Sequence, residues 1–496
     1  MLSTLPSVWK GLVALLCGAM VPLGFSPFGF YLLPVVALAI LASLLYGITP
    51  RLGLLLGALF GLGEFVVGVS WVHISIHQFG NAGMVLSLAT VLLLALYLAL
   101  FSALMGWLVG RLSTASRTVV MLAVFPAAWT LTELLRGWLF SGFPWLNLGY
   151  SQIDSPLLGF APLLGVYAVG FVTALSAGLL NCIVTGSGRL RVVALASISL
   201  IGLTGWALNQ YHWTQRSGEP LTATLVQGNI PQELKWKPEQ QRQTLERYVS
   251  LTNEHTDSDL IVWPETAVPS FYDQVEGDFL VPLREDLQAK GVSLVTGIPV
   301  LDRSQWNYYN AVISLDQPGR FYYKAHLVPF GEYLPLRDWL ANVLSFLPVP
   351  PSDFTSGGLD QPLLKVAGYP VGASICYEIA FGEEIIHTLP QAAFLINISN
   401  DAWFGDSLAP HQHLEMARMR ARETERYLLR ATNTGISAII DADGQLIVQS
   451  PQFEMTTVTG TVQPRSGATP YVRWGNRPVL ILSIGLLLMV WRIARK

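Results

Sequence analysis

The chain has 496 residues, of which 52% are hydrophobic and only 13% are charged, and its mean hydropathy is +0.45. Soluble domains usually carry about 25% charged residues, so the composition excludes an ordinary soluble protein and indicates a membrane protein. The net charge of -3 provides no basic surface for nucleic acid. The cysteines Cys17, Cys182 and Cys376 are odd in number and two lie in apolar runs, which argues against a disulfide framework.

Eight segments are apolar over roughly the length of a membrane span, which is about 20 residues. They run over 10–25, 29–46, 52–72, 84–110, 118–135, 162–185, 192–208 and 478–492. The first segment, preceded by Lys10, has some features of a signal peptide, but further spans follow at once and no small-residue cleavage site ends it. We therefore expect a helical membrane bundle in 1–210 and a last span with a cytoplasmic tail in 476–496.

The distribution of Lys and Arg between the loops predicts the orientation, because cytoplasmic loops carry an excess of both. With the N-terminus inside, the inside segments hold most of the basic residues and the short outside loops hold only Arg136. The inside set is Lys10, Arg51, Arg111, Arg117, Arg189, Arg191, Arg492, Arg495 and Lys496. Seven spans before residue 211 would then place 211–475 on the outer face. This expectation depends on an odd number of spans before that residue.

The segment 211–475 differs in composition, with most of the charge and with short apolar runs broken by polar, Gly and Pro residues. Strands are predicted at 222–226, 260–263, 292–296, 311–315, 371–375, 393–398 and 437–440. Helices are predicted at 238–254, 278–289 and 411–430. Strands that alternate with helices predict an α/β domain, and about 260 residues suffice for its own core.

Two strand ends in this domain carry residues suited to catalysis. Cys376 ends the apolar run of 371–378 (VGASICYE) and is followed by Tyr377 and Glu378, and α/β folds place reactive groups at strand ends. Glu265 follows an apolar strand and Trp-Pro in 260–266 (LIVWPET), where it could accept a proton as a general base. The plainer alternatives are a buried structural thiol and a solvated loop glutamate.

A third candidate is Lys324, in the aromatic segment 322–333 (YYKAHLVPFGEY) that also holds Glu332. A lysine in this setting can stabilise an oxyanion or shift neighbouring pKa values. The alternative is a surface charge lying over aromatic rings. His326 is expected to be a structural hydrogen-bonding residue.

The order Glu265, Lys324, Cys376 along the chain resembles the nitrilase superfamily, and the resemblance covers about 220–460. The whole chain resembles the apolipoprotein N-acyltransferases, the membrane-embedded branch of that superfamily. The segments that carry the resemblance are 143–152 (FPWLNLGYSQ), 228–236 (GNIPQELKW), 326–333 (HLVPFGEY), 400–407 (NDAWFGDS) and 411–418 (HQHLEMAR). No departure occurs at the three catalytic positions.

The resemblance implies a four-layer αββα sandwich outside the membrane and a catalytic triad of Glu265 as base, Lys324 as oxyanion stabiliser and Cys376 as nucleophile. The supporting residues Glu332 and Glu378 would orient Lys324 or tune its charge, and Tyr377 and Trp236 would shape the substrate pocket.

The implied reaction moves an acyl chain from a phospholipid, through a cysteine thioester, to the N-terminal amine of a diacylglyceryl-cysteine apolipoprotein. It implies no cofactor or metal, a monomer, and a bacterial inner membrane with the catalytic domain on the periplasmic face.

Two other functions remain open at this point: a membrane-tethered amidase of the same superfamily that uses water as acceptor, and a transporter or lipid-binding scaffold whose α/β domain only senses a ligand. The apolar stretch 334–350 favours lipid substrates, and we expect it to form a membrane-facing lid. His411 and His413 lack a zinc-binding spacing. Within the bundle, Glu133 is expected to pair with Arg136, and Glu64 to meet a polar contact.

Overall fold

The computed structural model describes residues 6–80, 82–334 and 354–495. Beyond Leu334, the stretch predicted as a lid lies outside these residues. The chain separates into two compact units. The first is formed by the chain up to His77, Gly83–His212 and the chain from Arg473 onward, and the second by Gln78–Ala82 and Trp213–Val472.

The first unit is helical. Its main helices are Ser7–Met20, Leu32–Leu45, Pro50–Gly68, Met84–Arg111, Phe125–Arg136, Ala161–Thr185, Gly188–Asn209 and Arg477–Ala494. Seven stretches of the described chain are long and apolar enough to cross a membrane. They are Ser7–Gly24, Pro50–Gly68, Met84–Arg111, Arg117–Arg136, Pro156–Thr185, Gly188–Asn209 and Arg477–Ala494.

The second predicted span, at 29–46, contains a shorter apolar helix than the other spans. Its helix, Leu32–Leu45, has 14 residues and a length of about 21 Å, against about 30 Å for the hydrocarbon core of a bilayer. Gly29 and Gly47 flank it with φ of 69° and 72°, a left-handed conformation that ends a helix. The orientation, which depends on the span count, remains a prediction.

Small residues allow close packing between helices of this unit. A Cβ at Gly53 would overlap the carbonyl oxygen of Gly106, and one at Gly106 would overlap that of Gly53. Helices in lipid gain little from burying apolar side chains against each other, because the lipid tails are equally apolar. Small residues stabilise their association instead, since they let the backbones approach closely.

The expected pairing of Glu133 and Arg136 occurs inside the unit. The Glu133 Oε1 atom lies 3.6 Å from an Arg136 guanidinium nitrogen and accepts the Leu148 N–H at 2.7 Å. Arg136 also donates to Asn147 Oδ1 at 2.8 Å. These bonds tie the Phe125–Arg136 helix to the segment that follows it. Glu64 is buried on the helix Pro50–Gly68.

The second unit contains two six-stranded sheets and one two-stranded sheet within the described residues. The strands are β1 Thr214–Arg216, β2 Leu221–Gln227, β3 Leu260–Val262, β4 Ser293–Asp302, β5 Asn307–Ser314, β6 Phe321–Tyr323, β7 Leu364–Val366, β8 Tyr369–Ile375, β9 Phe394–Ser399, β10 Leu428–Thr432, β11 Ala438–Ile440, β12 Leu446–Gln449, β13 Thr456–Val462 and β14 Arg465–Gly467. The first large sheet has the order β13-β2-β3-β4-β5-β6, the second has β12-β11-β10-β9-β8-β7, and β1 pairs with β14.

The two large sheets bury their inner faces in one core. This core joins Leu225, Val262 and Val295 of the first sheet to Ile375, Ile396 and other apolar residues of the second. A second core covers the outer face of the first sheet with the helices Pro238–Asn253 and Val281–Ala289. The helix Ala409–Thr424 contacts β10 and β11 of the second sheet. The result is the predicted four-layer αββα arrangement.

All seven predicted strands are present, and the helices predicted at 238–254 and 278–289 are confirmed apart from their ends. The helix predicted at 411–430 is wrong in its C-terminal part. It ends at Thr424, because Glu425 adopts the left-handed conformation with φ of 46°, and the chain then enters β10. The strand β13, rich in Thr and Val, was not predicted.

Candidate active site

Cys376 lies at a sharp corner between a strand and a turn. It follows β8 directly and begins the short 3-10 turn Cys376–Ala380. Its φ of 52° is unusual for a residue with a side chain and costs about 1–3 kcal/mol. The residue before it, Ile375, is held by parallel pairing with Ile398 of β9. The sheet pairing therefore holds the backbone up to the strained residue.

Glu265 is held just beyond the end of β3 by the packing of the residues before it. Trp263 is fully buried and donates its ring N–H to Thr252 Oγ1 at 2.9 Å, which anchors the strand end to the helix Pro238–Asn253. The Glu265 side chain is only 7% exposed, and its Oε1 accepts a hydrogen bond from Asn310 Nδ2 at 2.7 Å. The solvated-glutamate alternative is therefore excluded by the geometry.

Lys324 reaches the same place from β6. It is 1% exposed, and its Nζ lies 2.7 Å from Glu332 Oε1 and 4.0 Å from Glu265 Oε1. Its backbone N–H donates to the carbonyl oxygen of Asn310 at 2.8 Å. Asn310 of β5 thus aligns both Glu265 and Lys324, a role that the sequence did not reveal because Asn in a strand carries no such signal.

The two supporting carboxylates act differently from each other. Glu332 contacts the Lys324 ammonium directly and is fixed by the Val328 N–H at 2.8 Å. Glu378 instead accepts four hydrogen bonds, three of them from backbone N–H groups. The donors are Ala325 N–H at 2.6 Å, His326 N–H at 3.1 Å, Ile375 N–H at 2.6 Å and Tyr322 O–H at 3.0 Å. It therefore joins the backbone beside Lys324 to the backbone beside Cys376.

Burial and local charge shift the pKa values of these groups. Burial, and then the Glu265 carboxylate, raise the pKa of the Cys376 thiol to about 12, although Lys324 opposes this. Burial also raises the pKa of Glu265, against the nearby Lys324 charge. For Lys324, burial lowers the pKa, but the carboxylates of Glu332 and Glu265 outweigh it and raise the pKa above its ordinary value. The sulfur therefore rests as a thiol and needs a base, and Glu265 is better matched to it than an ordinary carboxylate.

The two aromatic residues predicted at the substrate pocket differ in exposure. Tyr377 is 8% exposed, and its ring packs edge-on against His326 and Phe381. Trp236 is 54% exposed, and the neighbouring Lys235 is 3% exposed. Lys235 donates from Nζ to the backbone carbonyl of Glu265 at 3.0 Å. The sequence did not identify Lys235, because a lysine between Glu233 and Lys237 in a predicted loop is typical of a solvated surface.

A second charged cluster, formed by Asp401, His413 and Arg430, contacts Cys376 from the second sheet. All three side chains are fully buried. Arg430 donates to Asp401 Oδ2 at 2.8 Å and lies 2.9 Å from His413 Nδ1. His413 Nε2 lies 3.1 Å from the Cys376 carbonyl oxygen. The sequence missed this cluster because its members lie on β10, the helix Ala409–Thr424 and the turn after β9.

The chemistry of this cluster argues against two other roles for it, a metal site and a general base for the thiol. Ligand atoms of Cys376, Asp401 and His413 lie within 4.8 Å of one another, but Arg430 already supplies a cation to the last two. Burial and Arg430 lower the pKa of His413, which favours a neutral ring. Its Nε2–H then donates to the Cys376 carbonyl and Nδ1 accepts from Arg430, so no ring nitrogen is left to take the thiol proton.

Comparison with known proteins identifies both units. Residues 222–471 match the carbon-nitrogen hydrolase family model, so the second unit is of the carbon-nitrogen hydrolase class, as its paired sheets indicate. Residues 17–179 match the apolipoprotein N-acyltransferase N-terminal domain.

Several full-length relatives are also similar to the chain. It is 49% identical to apolipoprotein N-acyltransferase of Methylococcus capsulatus, over 96% of this chain and 94% of the relative. It is 46% identical to that of Nitrosomonas europaea over 95% and 94%, and 40% identical to that of Pseudomonas syringae pv. tomato over 98% and 97%. The chain belongs to the apolipoprotein N-acyltransferase family. It is an acyltransferase, and the hydrolase alternative is not supported.

Proposed function

We propose that this enzyme transfers an acyl chain from a phospholipid to the N-terminal amine of a diacylglyceryl-cysteine apolipoprotein, through a thioester at Cys376. The observation that carries the proposal is the convergence of Glu265 and Lys324, which are 4.0 Å apart, with Cys376, whose neighbour Ile375 is joined by Glu378 to the backbone beside Lys324. This arrangement pairs a nucleophile with a base and a fixed cation, as covalent catalysis requires.

In the first half-reaction, Glu265 accepts the thiol proton while the sulfur attacks the acyl ester carbonyl of the phospholipid. Lys324 stabilises the negative oxygen of the tetrahedral intermediate, a contribution that is large in a buried site. The intermediate collapses with cleavage of the ester C–O bond, and Glu265 returns the proton to the departing alkoxide. Lysophospholipid leaves, and the acyl chain remains on Cys376 as a thioester.

In the second half-reaction, the free amine of the acceptor attacks the thioester carbonyl. Glu265 accepts a proton from the attacking nitrogen, the C–S bond breaks, and the proton passes to the sulfur to regenerate the thiol. The acceptor leaves as an amide. Because the donor product leaves before the acceptor enters, the scheme predicts ping-pong kinetics.

Two further features complete the proposal. Trp236 and Tyr377 line the path of the acyl chain or headgroup, and the catalytic domain lies on the periplasmic face of the inner membrane, where the lipid-linked acceptor is presented. The seven candidate spans of the described chain fit an enzyme whose two substrates are both held in a bilayer. Exclusion of water by apolar surroundings would favour aminolysis of the thioester over hydrolysis.

A vesicle assay tests this function. Purified enzyme is placed in vesicles of phosphatidylethanolamine with a synthetic peptide that starts with diacylglyceryl-cysteine, and the products are analysed by mass spectrometry. N-acylated peptide and lysophospholipid in equal amounts are expected. Free fatty acid without acylated peptide would instead support a hydrolase, and ammonia release from small amides would support an amidase.

A further inference from the structure

Lys235 is a buried cation at the active site that the two half-reactions above leave unused. It is 3% exposed, although the adjacent Trp236 is 54% exposed. Its Nζ donates to the carbonyl oxygen of Glu265 at 3.0 Å. An ammonium has three N–H donors, and the contact with Glu265 is the one hydrogen bond that Lys235 Nζ forms with the described residues.

Burial of this charge is costly without a partner. Removal of an ammonium from water costs several kcal/mol unless a counter-charge is close. Among the described residues, no carboxylate forms a salt bridge with Lys235, whereas Lys324 lies 2.7 Å from Glu332. The charge of Lys235 is therefore free to interact with an anion that forms during the reaction.

The loop that carries Lys235 is anchored rather than loosely placed. Asn433 exchanges two hydrogen bonds with the Ile230 backbone, at 2.8 and 2.9 Å. The side chain of Asn400 donates to Gln232 Oε1 at 2.7 Å. Both asparagines follow strands of the second sheet, so the sheet that presents Cys376 also holds the Lys235 loop in register.

Two buried lysines, Lys324 and Lys235, oppose the carboxylates of this site. Lys324 contacts Glu332 and Glu265, and Lys235 contacts the backbone of Glu265. When Glu265 accepts the thiol proton, its negative charge passes to the sulfur and then to the oxygen of the tetrahedral intermediate. Lys324 also neutralises Glu332, so a second cation would add to its stabilisation of the moving charge.

We propose that Lys235 is a second cation of the active site, which stabilises the negative charge as it moves from Glu265 to the Cys376 sulfur and the tetrahedral oxygen. This inference rests on the proposed function. Burial lowers the pKa of Lys235 to about 8, although Glu265 and Cys376 oppose the shift. Since the protonated form is the one required, the rate of acylation should fall as pH rises through that value.

The test measures the rate of acyl-enzyme formation in detergent, without acceptor, from about pH 6 to about pH 10. The donor is phosphatidylethanolamine with a labelled acyl chain. Lys235→Met should slow acylation near neutral pH by about 100-fold and remove the alkaline decline. Lys235→Arg should keep part of the rate and move the decline above about pH 10, because Arg stays protonated there. Lys237→Met, an exposed lysine in the same loop, is the matched control and should leave the rate unchanged.

The outcomes separate this inference from the proposed function. If wild-type enzyme acquires no acyl group at Cys376, the proposed function fails. If wild-type enzyme is acylated and Lys235→Met is acylated equally fast, or if wild-type enzyme shows no alkaline decline, the role of Lys235 is overturned. The wild-type profile requires no variant to fold, and thermal unfolding of each variant shows whether a lost rate reflects lost structure.

Discussion

Two charged clusters lie near Cys376, and they differ in the charges that surround their carboxylates. The cluster from the first sheet joins Glu265, Lys324 and Glu332, with ammonium–carboxylate distances of 2.7 and 4.0 Å. The cluster from the second sheet joins Asp401, His413 and Arg430 through contacts of 2.8 to 3.1 Å. In the proposed mechanism the first cluster exchanges a proton with the sulfur, while the second pairs Asp401 with Arg430 and contacts the backbone carbonyl of Cys376.

The carboxylates of the two clusters also differ in their protonation states. Burial raises the pKa of Glu265, so its carboxylate can take up a proton near the working pH. Burial also acts on Asp401, but the Arg430 charge outweighs it and holds the pKa well below its ordinary range. Asp401 therefore stays ionised. The Glu265 carboxylate is suited to proton transfer, and the Asp401 carboxylate is suited to a permanent ion pair. The difference comes from their neighbours and not from the residue type.

The largest effect should follow from removal of the base in the first cluster. Glu265→Gln keeps the shape and the contact with Asn310, but its amide cannot accept the thiol proton. We expect acyl-enzyme formation to fall by about 10² to 10⁴ with little change in thermal stability, as measured by single-turnover acylation. Glu233→Gln, at an exposed position, serves as the control. Full activity in Glu265→Gln would show that another group is the base.

In wild-type enzyme, the same assignment predicts a decline of the acylation rate at low pH. Glu265 acts only when deprotonated, and its pKa is raised. The rate should therefore fall as pH decreases through a value above the ordinary carboxyl pKa of about 4.3. A rate that is constant down to that ordinary value would contradict the raised pKa.

A smaller effect on the acylation rate is expected in the second cluster, where His413 contacts the backbone carbonyl oxygen of Cys376. His413→Ala removes the hydrogen bond at 3.1 Å and should slow acylation by about 10-fold, as expected for loss of about 1.4 kcal/mol of hydrogen bonding. His413→Gln can still donate from its amide and should recover part of the rate. Equal rates for the two variants would argue for a purely structural role. His411→Gln is the control, since His411 contacts Gln452 at 3.1 Å instead.

The smallest effect on chemistry, with a clear effect on stability, is expected at Glu378. Glu378→Gln turns an amide N–H₂ toward donors that need an acceptor, such as the Ile375 N–H at 2.6 Å. The free energy of unfolding should decrease by about 1–3 kcal/mol, measured by denaturant titration of the detergent-solubilised protein. Burial raises the pKa of this carboxyl to about 7, although Lys324 and the backbone donors oppose it. Unchanged stability would show that these donors find other partners.

The first cluster was largely predictable from the sequence, and the second was not. Glu265 and Cys376 follow apolar strands directly, so their position at strand ends is a local property of the chain. Lys324 and Glu332 are close in sequence and remain close in space. Asp401, His413 and Arg430 converge only through sheet pairing and the helix Ala409–Thr424, and the helix predicted at 411–430 placed Arg430 in the wrong element.

Other differences have equally local causes. The strand β10 was hidden because its sequence continues from a helix whose end depends on the left-handed Glu425. A glycine on each side limits the length of the helix Leu32–Leu45. Hydropathy averaged over a window of residues does not detect such glycines. Lys235 has no sequence signal at all, since its burial is created by anchoring of the loop to Asn400 and Asn433.

The thioester at Cys376 is tested most directly by the intact mass of the purified enzyme after incubation with phosphatidylethanolamine of one defined acyl chain. We expect a mass increase of one acyl group at Cys376, stable until a diacylglyceryl-cysteine peptide is added and then lost with formation of the acylated peptide. Cys376→Ala should show no increase. An adduct that persists in Cys376→Ala, or its absence from active wild-type enzyme, would rule out Cys376 as the acyl carrier.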